Sequence, residues 1–155
     1  MNYEAGQKAF TLIEIIVVMG ILAMSGALGY LVTIDFYNSY VFNAERDTVV
    51  SLLEKARAGA MFNINQLPHG VFFDNGHGRY VVFEGVNFSS RNPARDAVVP
   101  YAPGITRAGL TEVIFEQLTG DAKDEDGNPL SGSLTLAQGH RSEAVVLNNL
   151  GRIDW

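Results

Sequence analysis

A chain of 155 residues, 47% hydrophobic and 18% charged, has room for one small globular core plus one long apolar segment. Seventeen carboxylates against eleven Lys and Arg give a net charge of −6, which argues against a general affinity for nucleic acid or anionic lipid. With no cysteine, disulfides, thiolate metal sites and a Cys nucleophile are excluded.

The chain opens on a short polar stretch and then Phe10-Thr-Leu-Ile-Glu14-Ile-Ile-Val-Val-Met19. From Ile15 to Ile34 no residue carries a formal charge, so about 30 Å of helix fits a hydrocarbon layer. Glu14 stands at the start of that run. A carboxylate there costs a few kcal/mol unless it is paired or protonated, which marks it as functional. No side chain nearby is an obvious partner. Cleavage between Ala9 and Phe10 would supply one, because Phe10 would gain an α-ammonium able to pair with a neighbouring chain's Glu14. Two plainer readings compete. A secretory signal would have a shorter apolar region ending in a cut such as Ala23-Met-Ser25, and a simple single-span anchor leaves Glu14 without a purpose.

At Phe10-Thr11-Leu12-Ile13-Glu14 the sequence resembles the type IV pilin-like family, which includes type IV pilins and type II secretion pseudopilins. The resemblance implies that a prepilin peptidase removes residues 1–9 at Ala9–Phe10 and N-methylates Phe10. Glu14 then guides docking into a helical filament of pilins or pseudopilins. Ala9 stands where the family usually has Gly; a cut after Gly6 would put Glu14 out of register, so the expected cut stays at Ala9. The implied setting is the inner membrane, crossed once, with an assembly platform there and the globular domain in the periplasm.

Beyond the membrane the helix is expected to continue, giving one helix from about Phe10 to Phe62. Val41, Ala44, Thr48, Leu52, Ala56 and Ala60 recur at three- and four-residue spacing, widened by Val49 and Leu53. Glu45, Arg46, Asp47, Glu54, Lys55 and Arg57 fall mostly on other faces. Gly20, Gly26 and Gly29 weaken the first half and read either as helix–helix contact points or as places where the helix stretches. Leu67-Pro68 closes the helical region.

Short strands follow. His69–Phe73 and Arg79–Phe83 flank the turn Asp74-Asn-Gly-His-Gly78, a hairpin signal. Glu112–Leu118, Ser133–Ala137, Glu143–Leu147 and Ile153–Trp155 are the next candidates, separated by the long loops Ser89–Gly104 and Thr119–Gly132. Strands joined by turns, with no helix between them, predict an antiparallel meander with one face on the helix and the other wet. The fold class is therefore α+β: a long N-terminal helix packed on a small antiparallel sheet. The divisions are a leader at 1–9, a membrane and polymerisation helix at 10–35, and a periplasmic pilin domain at 36–155. Leu53-Glu-Lys-Ala56-Arg57, Gly70-Val-Phe72, Tyr80-Val-Val-Phe83, Val113-Ile-Phe115 and Gly151-Arg-Ile153 resemble the GspH/FimT-like branch of minor pseudopilins and minor pilins.

Little else points to chemistry. No GxSxG, P-loop, GxGxxG or zinc-protease motif occurs, and neither catalysis nor a cofactor is expected. Asp124-Glu-Asp126-Gly127 has the core of an oxygen-ligand loop, making Asp124 and Asp126 weak calcium candidates, but Ala122 and Ser133 break the EF-hand pattern. No spacing brings His69, His77 and His140 together. Arg91, Arg95, Arg107 and Arg152 are the candidates for nucleic-acid contact, since some minor pilins of the branch take up DNA through a C-terminal Gly-Arg-x-Arg element. Here that stretch reads Gly151-Arg-Ile-Asp154, with an acid at the second arginine. The expected function is a structural filament subunit; the alternatives are a tip-located module binding DNA or a substrate, or a monomeric membrane-anchored domain.

Overall fold

The computed structural model describes residues 10–155, the side chains of 27–33 excepted. The chain divides into two compact units, 1–40 and 41–155.

One helix, α1, runs Leu12–Met61. In the second unit its buried positions are Phe42, Glu45, Val49, Val50, Leu52, Leu53, Ala56, Gly59 and Ala60, a stripe at helical spacing. The expected stripe is displaced by a fraction of a turn: Ala44 is exposed and Thr48 only half-buried. Glu45, expected on an outer face, is 4% exposed. The helix ends well before Leu67-Pro68. Asn63 takes a left-handed conformation (φ 54°), and a kinked segment, Ile64–Gln66, follows with Asn65 and Gln66 also left-handed (φ 55° and 56°). Asparagine tolerates that region better than most residues, and this is what turns the chain.

Nine strands follow: β1 His69–Asp74, β2 Arg79–Glu84, β3 Ala97–Pro100, β4 Thr106–Gly109, β5 Glu112–Phe115, β6 Ala122–Lys123, β7 Gly132–Gln138, β8 Arg141–Leu147 and β9 Ile153–Asp154. All named pairings are antiparallel. The single meander expected from the sequence is instead two sheets, ordered β3-β2-β1-β5-β6 and β4-β7-β8-β9. β3, β4 and β6 arise in stretches that carry no alternating pattern. Glu112–Leu118 also yields a shorter strand than expected, ending at Phe115, and Leu118 beyond it is left-handed (φ 69°).

One core joins α1 to both sheets. Val71, Phe73, Tyr80, Val82, Val113 and Phe115 from the first sheet and Leu134, Leu136, Val145 and Leu147 from the second share it with the helix stripe. The expectation of one wet face holds for the second sheet, whose strand β8 is mostly exposed. It fails for the first. There Val81, Phe83 and Ile114, pointing away from the helix core, are buried as well. Their cover is the segment after β2: Phe88 stacks on Phe72 at 3.8 Å and meets Phe83 edge-on, and the Arg91 guanidinium lies 3.5 Å from the Phe88 centroid. Gly70 makes room for this layer, since a Cβ there would sit 2.4 Å from the Phe83 ring.

Candidate functional site

The first turn of α1 is built by a short local code. Thr11 precedes the helix, its carbonyl accepts the amides of Glu14 (3.1 Å) and Ile15 (3.3 Å), and its Oγ1 also accepts the Glu14 amide at 3.3 Å. Thr-x-x-Glu is the spacing of a capping box, in which the threonine oxygen satisfies one of the helix's unpaired N–H groups. An acid in the first turn is further favoured by the positive end of the helix dipole. So Thr11 and Glu14 fix where the helix begins, a role legible in the sequence from that spacing alone.

Around this turn the apolar surface of the described residues is exposed. Phe10 is 76% exposed, and Leu12, Ile13, Ile15, Ile16, Val17, Val18, Met19, Ile21, Leu22 and Met24 are exposed too. A side chain at Gly20 or Gly26 would meet nothing within 4 Å. Among the described residues, then, nothing packs against either glycine. Among the described residues no helix is long and apolar enough to cross a membrane. The side chains of 27–33, in the later part of the expected span, lie outside the described residues. The same holds for the leader 1–9 and for Ala9 at the expected cut.

The four arginines considered for nucleic acid do not act together as free cations. Arg91 pairs with Asp96 at 2.8 Å, Arg95 with Glu84 at 2.9 Å and Arg152 with Asp154 at 2.8 Å. Arg107 requires a correction: its side chain is 4% exposed and bound to Glu45, so it is closed to phosphate. Each of the other three already has a carboxylate beside its guanidinium, which offsets the charge a phosphate would meet.

The acidic loop is occupied with its own folding. Asp124 Oδ1 accepts the amides of Asp126 (3.1 Å) and Asn128 (2.8 Å), and Asn128 Nδ2 donates to Oδ2. These bonds hold the Asp124 carboxyl below the usual range, the Asn128 amide first among them. Among the described residues no three His, Asp or Glu side chains converge as a metal site. His69 bonds the Ile64 carbonyl at 3.1 Å and His77 bonds Asp74, while His140 occupies the β7–β8 turn.

What the sequence reading missed is a buried ionic cluster. The Tyr80 hydroxyl donates to Glu45 Oε1 at 2.5 Å and accepts from Arg107 Nε at 2.7 Å. Arg107 Nη2 bonds the same Glu45 oxygen, while the Ala102 amide donates to Glu45 Oε2 at 3.2 Å. The guanidinium also lies 3.9 Å from the Tyr101 centroid. Helix, first sheet and second sheet are thereby tied at one point. Burial, then the bond to Glu45, raises the Tyr80 phenol well above its ordinary value. Burial likewise pushes Tyr101 up to about 12. The available signal was spacing: Phe42, Glu45, Val49 and Leu52 follow each other at three or four residues, which puts Glu45 on the inward face.

Residues 5–30 match the family model described as the prokaryotic N-terminal methylation motif. No curated protein and no solved structure matches the chain. The match overlaps described residues 10–26, whose large apolar side chains are exposed, and the capped turn at Thr11–Glu14 lies inside it.

Proposed function

We propose that this type IV pilin-like chain is a non-catalytic structural subunit, built into a filament through its N-terminal helix after a prepilin peptidase cuts at Ala9–Phe10. The observation that carries the reading is the methylation motif at residues 5–30, coinciding with a helix start whose described apolar side chains are exposed. A helix apolar all round is stable only in lipid or among other helices. Before assembly the partner is the inner membrane; afterwards it is the same helix of neighbouring subunits. Gly20 and Gly26, which no packing within the chain requires, suit close helix–helix approach.

The mechanism is packing plus one ion pair. Cleavage leaves an ammonium on Phe10, and Glu14 of a neighbour supplies the opposite charge within an apolar surround. Unpaired, either charge is expensive there, so the pair sets axial register as the helices bundle. The filament is a type IV pilus or a type II secretion pseudopilus, with the domain from residue 36 onward in the periplasm. Local matches such as Tyr80-Val-Val-Phe83 favour the GspH/FimT-like branch. Arginines already paired with carboxylates give the DNA-capturing alternative no support.

Mass spectrometry of the mature protein tests the processing step. The N-terminus should be Phe10, heavier by one CH2 than the unmodified residue. A mature chain beginning near Ser25 would overturn the reading in favour of an ordinary signal peptide.

A further inference from the structure

Between the apolar run and the folded unit lies Asp35-Phe-Tyr-Asn-Ser-Tyr40, still helical and still uncovered. Phe36 is 77% exposed, Tyr37 65% and Tyr40 69%. Three large aromatic rings in one and a half turns, each about two-thirds exposed or more, call for an external partner. We propose that Phe36, Tyr37 and Tyr40 form an interfacial anchor that seats in the headgroup layer of a lipid bilayer and fixes the depth of the helix. The proposal rests on the membrane-anchored stage of the function proposed above.

Position and chemistry both favour lipid as the occupant. Counted from Ile15, the uncharged run ends at Ile34 after about 30 Å, the thickness of a hydrocarbon core. The aromatic group then begins two residues farther on, and Tyr40 stands about 9 Å beyond Ile34 along the axis. Helical side chains lean toward the N-terminus, so the Tyr40 ring reaches back toward the apolar layer. Tyrosine presents an apolar ring and a polar hydroxyl, which suits it to the boundary between acyl chains and headgroups. Ser39 adds no free polar group, because its hydroxyl donates to the Asp35 carbonyl at 2.6 Å.

Charge narrows the class of lipid contact. From Phe10 through Glu45 the sequence contains no Lys or Arg, while Glu14, Asp35 and Glu45 are acids. Basic residues, the usual complement of anionic headgroups, are absent from this stretch. The anchor is aromatic and insensitive to lipid charge.

Full-length chains with Trp155→Phe and either Tyr37→Trp or Tyr40→Trp carry one indole as a depth probe in phosphatidylcholine vesicles. Bromines placed high on the acyl chains should remove most of the indole emission, and bromines near the bilayer centre should leave most of it. Neither high salt nor added phosphatidylglycerol should change that ordering. Chains that float with the vesicles but are quenched by neither set would overturn the anchor while leaving membrane attachment intact. Loss of shallow quenching in high salt would overturn its non-ionic character. Chains that fail to float would instead overturn the membrane-anchored stage itself.

Discussion

Residues 12–26 and residues 41–61 belong to one helix and are both rich in apolar side chains, yet they meet opposite fates. In the first segment every large apolar side chain is exposed; in the second the apolar stripe is among the most buried surface of the chain. Composition begins to separate them, since Glu14 is the single charged residue of the first and the second carries six. Arrangement completes the difference: the first is apolar on every side, so no single sheet could cover it, whereas the second confines its apolar groups to one face. A helix of the first kind demands a partner outside its own chain. The second kind is satisfied at home.

Removing the first segment is the severest way to test this contrast. A chain beginning at Asp35 should fold, stay monomeric and lose assembly altogether, because its core lies entirely in residues 41–155. Circular dichroism and sedimentation would check it. Filaments formed by that shortened chain would break the contrast.

Next in size is the cluster that locks the second segment onto the sheets. Glu45→Ala or Arg107→Ala removes one partner of a buried pair and should cost about 3–5 kcal/mol in the denaturant unfolding of the Asp35 chain. Glu14→Ala in the full-length chain, on the uncovered segment, should leave the unfolding of residues 41–155 unchanged. Equal effects at Glu45 and Glu14 would erase the distinction drawn here.

A smaller effect sharpens it further. The Tyr80 and Tyr101 phenols are raised by burial, Tyr101 to about 12. The folded chain thus keeps protons that the unfolded chain gives up near the ordinary tyrosine value of about 10. Stability is full below that pH and falls as pH climbs from there toward the folded values. Denaturant midpoints should decline above about pH 10, and Tyr101→Phe should soften the decline. A flat profile through that range would contradict the burial argument.

Much of this was open to reading. Two apolar runs around an Asn-Gly turn place β1 and β2 to within a residue, and the helix stripe locates the core face to within a fraction of a turn. Even the two-sided burial of the first sheet had a trace, since Tyr80-Val-Val-Phe83 is a continuous apolar run of the sort buried on both faces. The division into two sheets had none. β3, β4 and β6 are short edge or near-edge strands whose pairing is decided by distant neighbours, such as Gly109 lying against Leu134. The close approach there is tight enough that a Cβ on Gly109 would meet the Ser133 carbonyl at 2.0 Å, with φ at +112°. Arg107 looked like a surface cation for the same reason: the carboxylate that buries it lies 62 positions away. At the N-terminus the information is local, and there both the motif and its capped turn could be read from five residues.

The central claim is that Glu14 acts between subunits, and a competition measures this most directly. Wild-type chain and Glu14→Val are co-expressed, and their ratio is taken in the membrane and in sheared filaments. The substitution removes a polar group from an apolar helix, so membrane insertion and leader cleavage should be unaffected. In filaments the variant should be strongly depleted, because Phe10's ammonium would be buried with no counter-ion, and Glu14→Gln should fall between the two. A variant to wild-type ratio as high in filaments as in the membrane would contradict the pairing mechanism.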